Sequence, residues 1–400
     1  MPCSTRGDEK ALQTQIHPID DSYINEHESM KPTIAIDNAY IESWKQKGGK
    51  VVGTVCCHIP EEIIHAAGML PVRIRGTECT DDRDGELWMT DYACGFCRAC
   101  LQNLISGKYH FLDGIVVSDG CMFVQRLYDN WKVIGNTKCK VNLNVPRNHD
   151  HLAVRYFVDE LKILKEEMEK LSGREITDEA LNASIDLYNE TRALIRELFS
   201  LTKGEHPLVS GTETLQWTIK AMSMPKEIYN QELKAFIEEA KGREPITGYG
   251  ARLMMIGSAV DDPDYVHIFE EHGGLIVTDY NCYGTRYLWQ DVTRKEGETP
   301  LESIARSYLE KLTCPRMTDL HDEMYEDMLR LAKEFDVDGI VYVRLKNCCL
   351  WGGESVFFYD RFKEDGYPVL TLEKEEITTN AGQVGVRAEA FVEMLEGGTD

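Results

Sequence analysis

The sequence predicts an α/β protein: two doubly wound parallel-sheet domains flanking a helical middle segment. Three observations carry this. Short β-branched runs alternate with amphipathic helical patterns over residues 49–150 and again over 246–400, the alternation expected of parallel sheets covered by helices. Residues 151–245 are almost entirely helical in pattern. Asp113-Gly-Ile-Val and Asp338-Gly-Ile-Val each open a strand pattern that leads to a cysteine, Cys121 and Cys348, so the two halves echo one another.

Taken in order, residues 1–48 are polar and irregular, with a helix predicted over Asn38 to Lys47, and read as an arm or a dimer contact. KVVGTVCC is a strand pattern. In HIPEEIIHAAGML, Pro60, Glu61 and Glu62 suit the first turn of a helix that stops near Gly68. PVRIRG is a second strand, DYACGFCRACLQNLISG is helical in its second half, and FLDGIVVSDGC is a strand leading into the amphipathic MFVQRLYDNW. In the middle segment Thr177 reads as a helix start, with Asp178 and Glu179 in the first turn. LMMIGS and LIVTDY are strands around a helix ending at Gly273-Gly274. LESIARSYLEKL, HDEMYEDMLRLAKEFD and RAEAFVEML are helices, and DGIVYVRLKNCC and YPVLTLE are strands.

The balance of 44 basic against 68 acidic residues, a formal charge of −24, disfavours nucleic acid and anionic membrane as partners, because both need a basic footprint. No apolar run approaches the length of a membrane span, and the first residues, MPCSTRGDEK, carry no export pattern, so a cytoplasmic protein is expected. In that reducing compartment 13 cysteines point to metal binding or catalysis rather than to disulfides.

Cys56, Cys121, Cys282 and Cys348 each fall just past the carboxyl end of a predicted strand, the edge where open α/β sheets bind ligands. Cys94 and Cys314 lie in turns beside helices. Together they make a three-plus-three set: Cys56, Cys94, Cys121, then Cys282, Cys314, Cys348. For Cys56, the helix beginning near Pro60 is expected to aim its N-terminal dipole at the thiol and favour the thiolate. In Cys94-x-x-Cys97-x-x-Cys100 the chain runs on into a helix with no fourth Cys-Pro, unlike a ferredoxin run. Cys94, at the helix entry, is therefore the expected ligand, and Cys97 and Cys100 are expected to pack. Without paired knuckles or histidine partners the set suits an iron–sulfur cluster better than zinc.

VVGTVCCHIPEEIIHAAGMLPVRIRG, DYACGFCRACL, LDGIVVSDGC with RLYDNW, and DGIVYVRLKNCC with RAEAFVEML resemble, in the same order, blocks of the benzoyl-CoA reductase / 2-hydroxyacyl-CoA dehydratase family, over residues 50 to 396. The resemblance implies two Rossmann-like domains holding a [4Fe-4S] cluster on Cys56, Cys94, Cys121 and Cys348, with Cys349 competing for the last place. It implies an ATP-hydrolysing [4Fe-4S] activator protein that delivers a low-potential electron, for ketyl-radical dehydration or reduction of an acyl-CoA thioester. The partner is a homologous second subunit or a second copy of the chain. In the family's catalytic subunits one iron tends to lack a cysteine, whereas Cys56 fills that place here, which fits an electron-relay subunit. The double-cubane branch, with an [8Fe-9S] cluster in a homodimeric reductase of small molecules, would also use Cys282 and Cys314. A non-catalytic electron carrier and a zinc-stabilised or metal-free binding protein are the other classes.

Acid–base residues are poorly marked. His58, Glu61, Glu62 and His65 adjoin the first cysteine, but glutamates at a helix start are more often caps than catalysts. Arg73 and Arg75 suit an anionic ligand or the surface, and Gly352-Gly353 suits close backbone approach or a turn.

Overall fold

The computed structural model describes residues 35–377 and 380–397. After α1 (Ala39–Gln46), capped by the Asn38 side chain, the first sheet is built from β1 (Val51–Val55), β2 (Leu70–Arg73), β3 (Gly114–Ser118) and β4 (Cys139–Leu143). Its order is β2-β1-β3-β4 and all its pairings are parallel. The connecting helices are α2 (Glu61–Ala66), α3 (Arg83–Trp88), α4 (Gly95–Ile105) and α5 (Met122–Ile134). Every residue of β1, β2 and β3 is buried, which explains why these strands read as continuous apolar runs rather than as alternating ones.

Four helices follow: α6 (His151–Ser172), α7 (Asp178–Ser200), α8 (Gly211–Ala221) and α9 (Lys226–Ala240). Asp150 and Thr177 cap α6 and α7, and Ser210 with Glu213 forms a capping box on α8. α6 packs on β4 and α2, so it covers a face of the first sheet.

The second sheet repeats the first. β5 (Ala251–Gly257), β6 (Gly274–Tyr280), β7 (Gly339–Leu345) and β8 (Val369–Lys374) run parallel in the order β6-β5-β7-β8. Their helices are α10 (Pro263–Glu271), α11 (Pro300–Glu310), α12 (His321–Glu334), α13 (Cys349–Glu364) and α14 (Ala381–Gly397). α11 leaves its own sheet to pack on α6 and α7, joining the second lobe to the helical segment. One apolar core runs from Val51 and Ile115 in the first sheet to Leu253 and Ile340 in the second.

The fold class is the predicted one: two four-stranded parallel sheets clothed by helices. The sequence reading did not include α3, β4, α8 or α13. The Gly352-Gly353 pair, read as a turn or a close approach, lies inside α13, with open space where each Cβ would stand. The packing of Trp351, Phe358 and Phe362 outweighs the conformational cost of two glycines there. Among the described residues no helix is long and apolar enough to cross a membrane.

A candidate metal centre between the two sheets

In both sheets the strand order reverses between the first and third strands of the unit, so each has a switch point where the connections diverge and leave a crevice. The two carboxyl edges face each other. Tyr283, past β6, donates its hydroxyl to the Ile74 carbonyl past β2 at 2.6 Å. Asp261, past β5, accepts from the Gly76 amide at 2.8 Å, and Asn347, past β7, donates to the Asp91 carbonyl at 3.1 Å.

All twelve described cysteines are free. The six predicted thiols fall into two neighbouring groups. The first holds Cys94, Cys121 and Cys348, and each of these is the N-cap residue of a helix: α4, α5 and α13 respectively. Three helix N-termini therefore present their positive dipole ends and free amides to one place. The Cys121 sulfur accepts from the Val124 amide at 3.5 Å. A hydrogen bond from Cys97, with help from backbone amides, lowers the pKa of Cys94. Burial, then the neighbouring Cys94, pushes Cys121 up to about 11 and Cys348 up to about 12. Cys97 is fully buried beside Cys94 and feels Cys121, while Cys100 is fully buried and held protonated by desolvation. Cys349 is exposed.

The second holds Cys56, Cys282 and Cys314, joined by a seventh thiol, Cys57. Cys56 follows β1 with φ of +96°, a strained value for a residue with a Cβ. The ligand atoms of Cys56, Cys57 and His58 lie within 4.8 Å of one another, so this triple could hold a metal ion. His58 is buried and its pKa falls to about 4, chiefly from desolvation, which leaves a neutral imidazole 3.7 Å from Cys56 Sγ and 3.8 Å from Cys57 Sγ. Cys57 and Cys282 hydrogen-bond to each other, and Cys314 adds its field to Cys282.

Cys56 and Cys57 form one hydrogen-bonded pair. Hydrogen bonding to Cys57, then burial, raises the pKa of Cys56. Cys57 is the lowered one, because Cys282 and Cys56 donate to it and Lys311 and Arg286 lie close. The helix that was to activate Cys56 starts only at Glu61, five residues on.

Cations crowd this second group. Arg286 is 3.1 Å from Cys282 Sγ and 3.6 Å from Cys57 Sγ, and Lys311 donates to the Cys57 carbonyl. Arg73 is buried over the Tyr283 ring, and the fields of Tyr283 and the thiols more than offset the cost of desolvating its charge. A fourth cation, Arg316, acts on Cys56 and is paired with Asp119 at 3.0 Å, whereas Arg286, Lys311 and Arg73 have no carboxylate partner among the described contacts. Buried cations without carboxylates need other partners, and ionised thiols beside them are suitable ones. Soft sulfur donors are the kind of ligand set that can hold a metal here.

Gly120, beside Cys121, lies near the Cys56 loop: a Cβ there would stand 3.3 Å from Ser118 Oγ and 3.5 Å from Cys56 Sγ. Arg75 is buried and accepts at its carbonyl from Asn103, and His65 bonds Ser184 and Glu227. Cys57, Arg286 and Lys311 escaped the sequence reading. The doubled cysteine at 56–57 was a usable signal for the first, but nothing local marks the other two.

The family model described as 2-hydroxyglutaryl-CoA dehydratase, D-component, matches residues 56–395. The (R)-phenyllactyl-CoA dehydratase beta subunit of Clostridium sporogenes is 27% identical over 88% of this chain and 93% of its own length. A benzoyl-CoA reductase subunit of Thauera aromatica is 27% identical over 87% and 91% of the two chains. The lactoyl-CoA dehydratase beta subunit of Anaerotignum propionicum is 27% identical over 92% and 97%. The chain thus belongs to the 2-hydroxyglutaryl-CoA dehydratase D-component family, a family of dehydratase and reductase enzymes.

Proposed function

We propose that this chain is the iron–sulfur subunit of a 2-hydroxyacyl-CoA dehydratase or benzoyl-CoA reductase-type enzyme, working in the reducing cytoplasm. The observation that carries the proposal is that Cys94, Cys121 and Cys348, each at the N-cap position of a helix, lie within reach of one another's fields. Cys94, Cys121 and Cys348 would hold a [4Fe-4S] cluster, with Cys56 proposed for the fourth place. When bound, such a cluster supplies one-electron transfer at low potential. The partners proposed are an ATP-hydrolysing activator protein and a second subunit, homologous or identical.

The chain's own residues prepare the site. A hydrogen bond from Cys97, aided by backbone amides, lowers the pKa of Cys94, and hydrogen bonds from Cys282 and Cys56, aided by Lys311 and Arg286, lower that of Cys57, favouring the thiolate form that ligation requires. Arg286, held by the Thr313 carbonyl at 2.9 Å, spans Cys57 and Cys282 and keeps the second group electropositive. An open cleft of about 430 Å³, walled by Arg196 with its partner Asp291, Trp289, Gln290, Glu310 and Lys311, is the proposed approach to the Lys311 side of the centre. Lys311 there touches both cleft and thiol loop, so it could orient a thioester oxygen.

A second reading is favoured by the cation-lined group: Cys56, Cys282 and Cys314 would extend the site to an [8Fe-9S] double cubane. Iron and sulfide measured per chain after purification without oxygen separate the two. About four irons support the single cubane and about eight the double one, and an iron-free protein would sink both.

A further inference from the structure

We propose that Glu61 and Glu62 are positioning residues that hold the Cys56–Cys57–His58 loop at a set distance from Cys282 in the other lobe. Neither glutamate acts as a helix cap, the role expected from sequence: the N-cap of α2 is Pro60, which makes no side-chain cap bond. Both side chains are buried, 2% and 0% exposed. Glu62 pairs with Arg192 on α7 at 2.6 Å and accepts from the Tyr308 hydroxyl on α11 at 2.7 Å. Glu61 accepts from the Tyr287 hydroxyl at 2.5 Å, from Lys226 on α9 at 3.4 Å and from Tyr188 on α7 at 3.5 Å. Each glutamate therefore has partners on both the helical segment and the second lobe.

The second-lobe partners are also the neighbours of the thiols. Tyr287 follows Arg286, whose guanidinium touches Cys282 and Cys57. Tyr308 sits one helical turn before Lys311, which donates to the Cys57 carbonyl. Two closed circuits result. One runs from Glu61 through Tyr287 and Arg286 to Cys57, the other from Glu62 through Tyr308 and Lys311 to the same residue. Both return along the short stretch from Cys57 to the start of α2. Buried ion pairs are a poor source of net stability compared with apolar packing of equal volume, so their use here is best explained by the geometry they enforce. Thiols drawn from two lobes can share a metal only if that geometry is kept. This inference rests on the metal-centre reading, but its first test does not.

In full-length metal-free protein, one equivalent of diamide takes two electrons and two protons from a thiol pair, becoming the hydrazine and leaving a disulfide. Peptide mapping by mass spectrometry follows the Cys57–Cys282 product. The wild-type chain should form it fast, and E61Q, Y287F and Y308F should each form it about fivefold more slowly, the equilibrium worth of one hydrogen bond. Y287F and Y308F remove only a hydroxyl, so they decide the matter if E61Q fails to fold. A second readout is the spectroscopic signature and reduction potential of iron-loaded protein, which should shift in the same variants. Rates and spectra equal to wild type in Y287F and Y308F, with only the melting temperature lowered, would overturn the proposal and leave the network a structural one. If the wild-type chain takes up no iron, the metal-centre reading fails while the diamide rates still judge the clamp.

Discussion

Replacing Arg192 by Met should be among the most damaging single changes in the helical segment. The Arg192 side chain is 3% exposed and that of Glu62 is 0% exposed, and they meet at 2.6 Å. Burial works against the Arg192 charge, but Glu62 and Tyr308 more than offset it and raise its pKa above the ordinary guanidinium value. In R192M the Glu62 carboxylate keeps only the Tyr308 hydroxyl, so a carboxylate out of reach of water loses its counter-charge. Removing one partner of such a pair costs about 3–5 kcal/mol. Set against a total stability of about 5–15 kcal/mol, that is a large fraction. Urea unfolding followed by tryptophan fluorescence should show the midpoint falling with an unchanged slope. The double variant E62L/R192M, which buries no charge, should recover most of the loss, and the double-mutant cycle gives the coupling. A loss below about 1 kcal/mol in R192M, or a double variant no better than the single, would refute the account of this pair as a buried charge in need of its partner. Recovery of stability in E62L/R192M without recovery of the Cys57–Cys282 geometry would separate stability from positioning.

Three further outcomes are expected. Glu298 is gripped by Arg306 through two 2.8 Å bonds, and this hydrogen bonding lowers its pKa to about 2. Its stabilisation is present above the unfolded carboxylate pKa and is lost as pH falls toward the folded value. Discounted for solvent screening, E298Q should cost about 1–2 kcal/mol at neutral pH, with the melting-temperature gap from wild type closing as pH drops from about 5 to about 2. A gap that stays constant over that range contradicts the assignment. G257A should be destabilised by about 1–3 kcal/mol or more in chemical denaturation, because its Cβ would stand 2.1 Å from the Val343 carbonyl oxygen, a backbone atom of the paired strand that cannot swing away. C121S and C348S, made without oxygen, should lose most of their bound iron, whereas C100A, which removes a fully buried packing thiol, should retain it. Equal iron in all three would remove the helix-capping cysteines from the centre.

The sequence by itself determined the alternation and therefore the sheets. Strands such as VVGTV and GIVVS are buried on both faces, so their apolar runs are continuous and easily read. Helix starts at Asn38 and Thr177 were legible because a capping side chain acts on amides two or three residues away. The weaker elements were not. β4 (CKVNL) is only half-buried and carries polar residues, and α13 contains two glycines, so neither shows a strong period. The cysteines at strand ends were legible for the same reason as the strands: a parallel sheet delivers every carboxyl end to one edge. What the tertiary structure alone decided is which thiols meet and what surrounds them. Cys94 joins Cys121 and Cys348, while Cys56, at a positive φ, pairs with Cys57, which in turn bonds Cys282. Glu61 finds Tyr287 and Glu62 finds Arg192 across separations of 226 and 130 residues. Local sequence carries no record of such pairings, because the forces that make them, Coulombic attraction and the penalty for burying an unpaired charge, act only once the lobes have closed on each other.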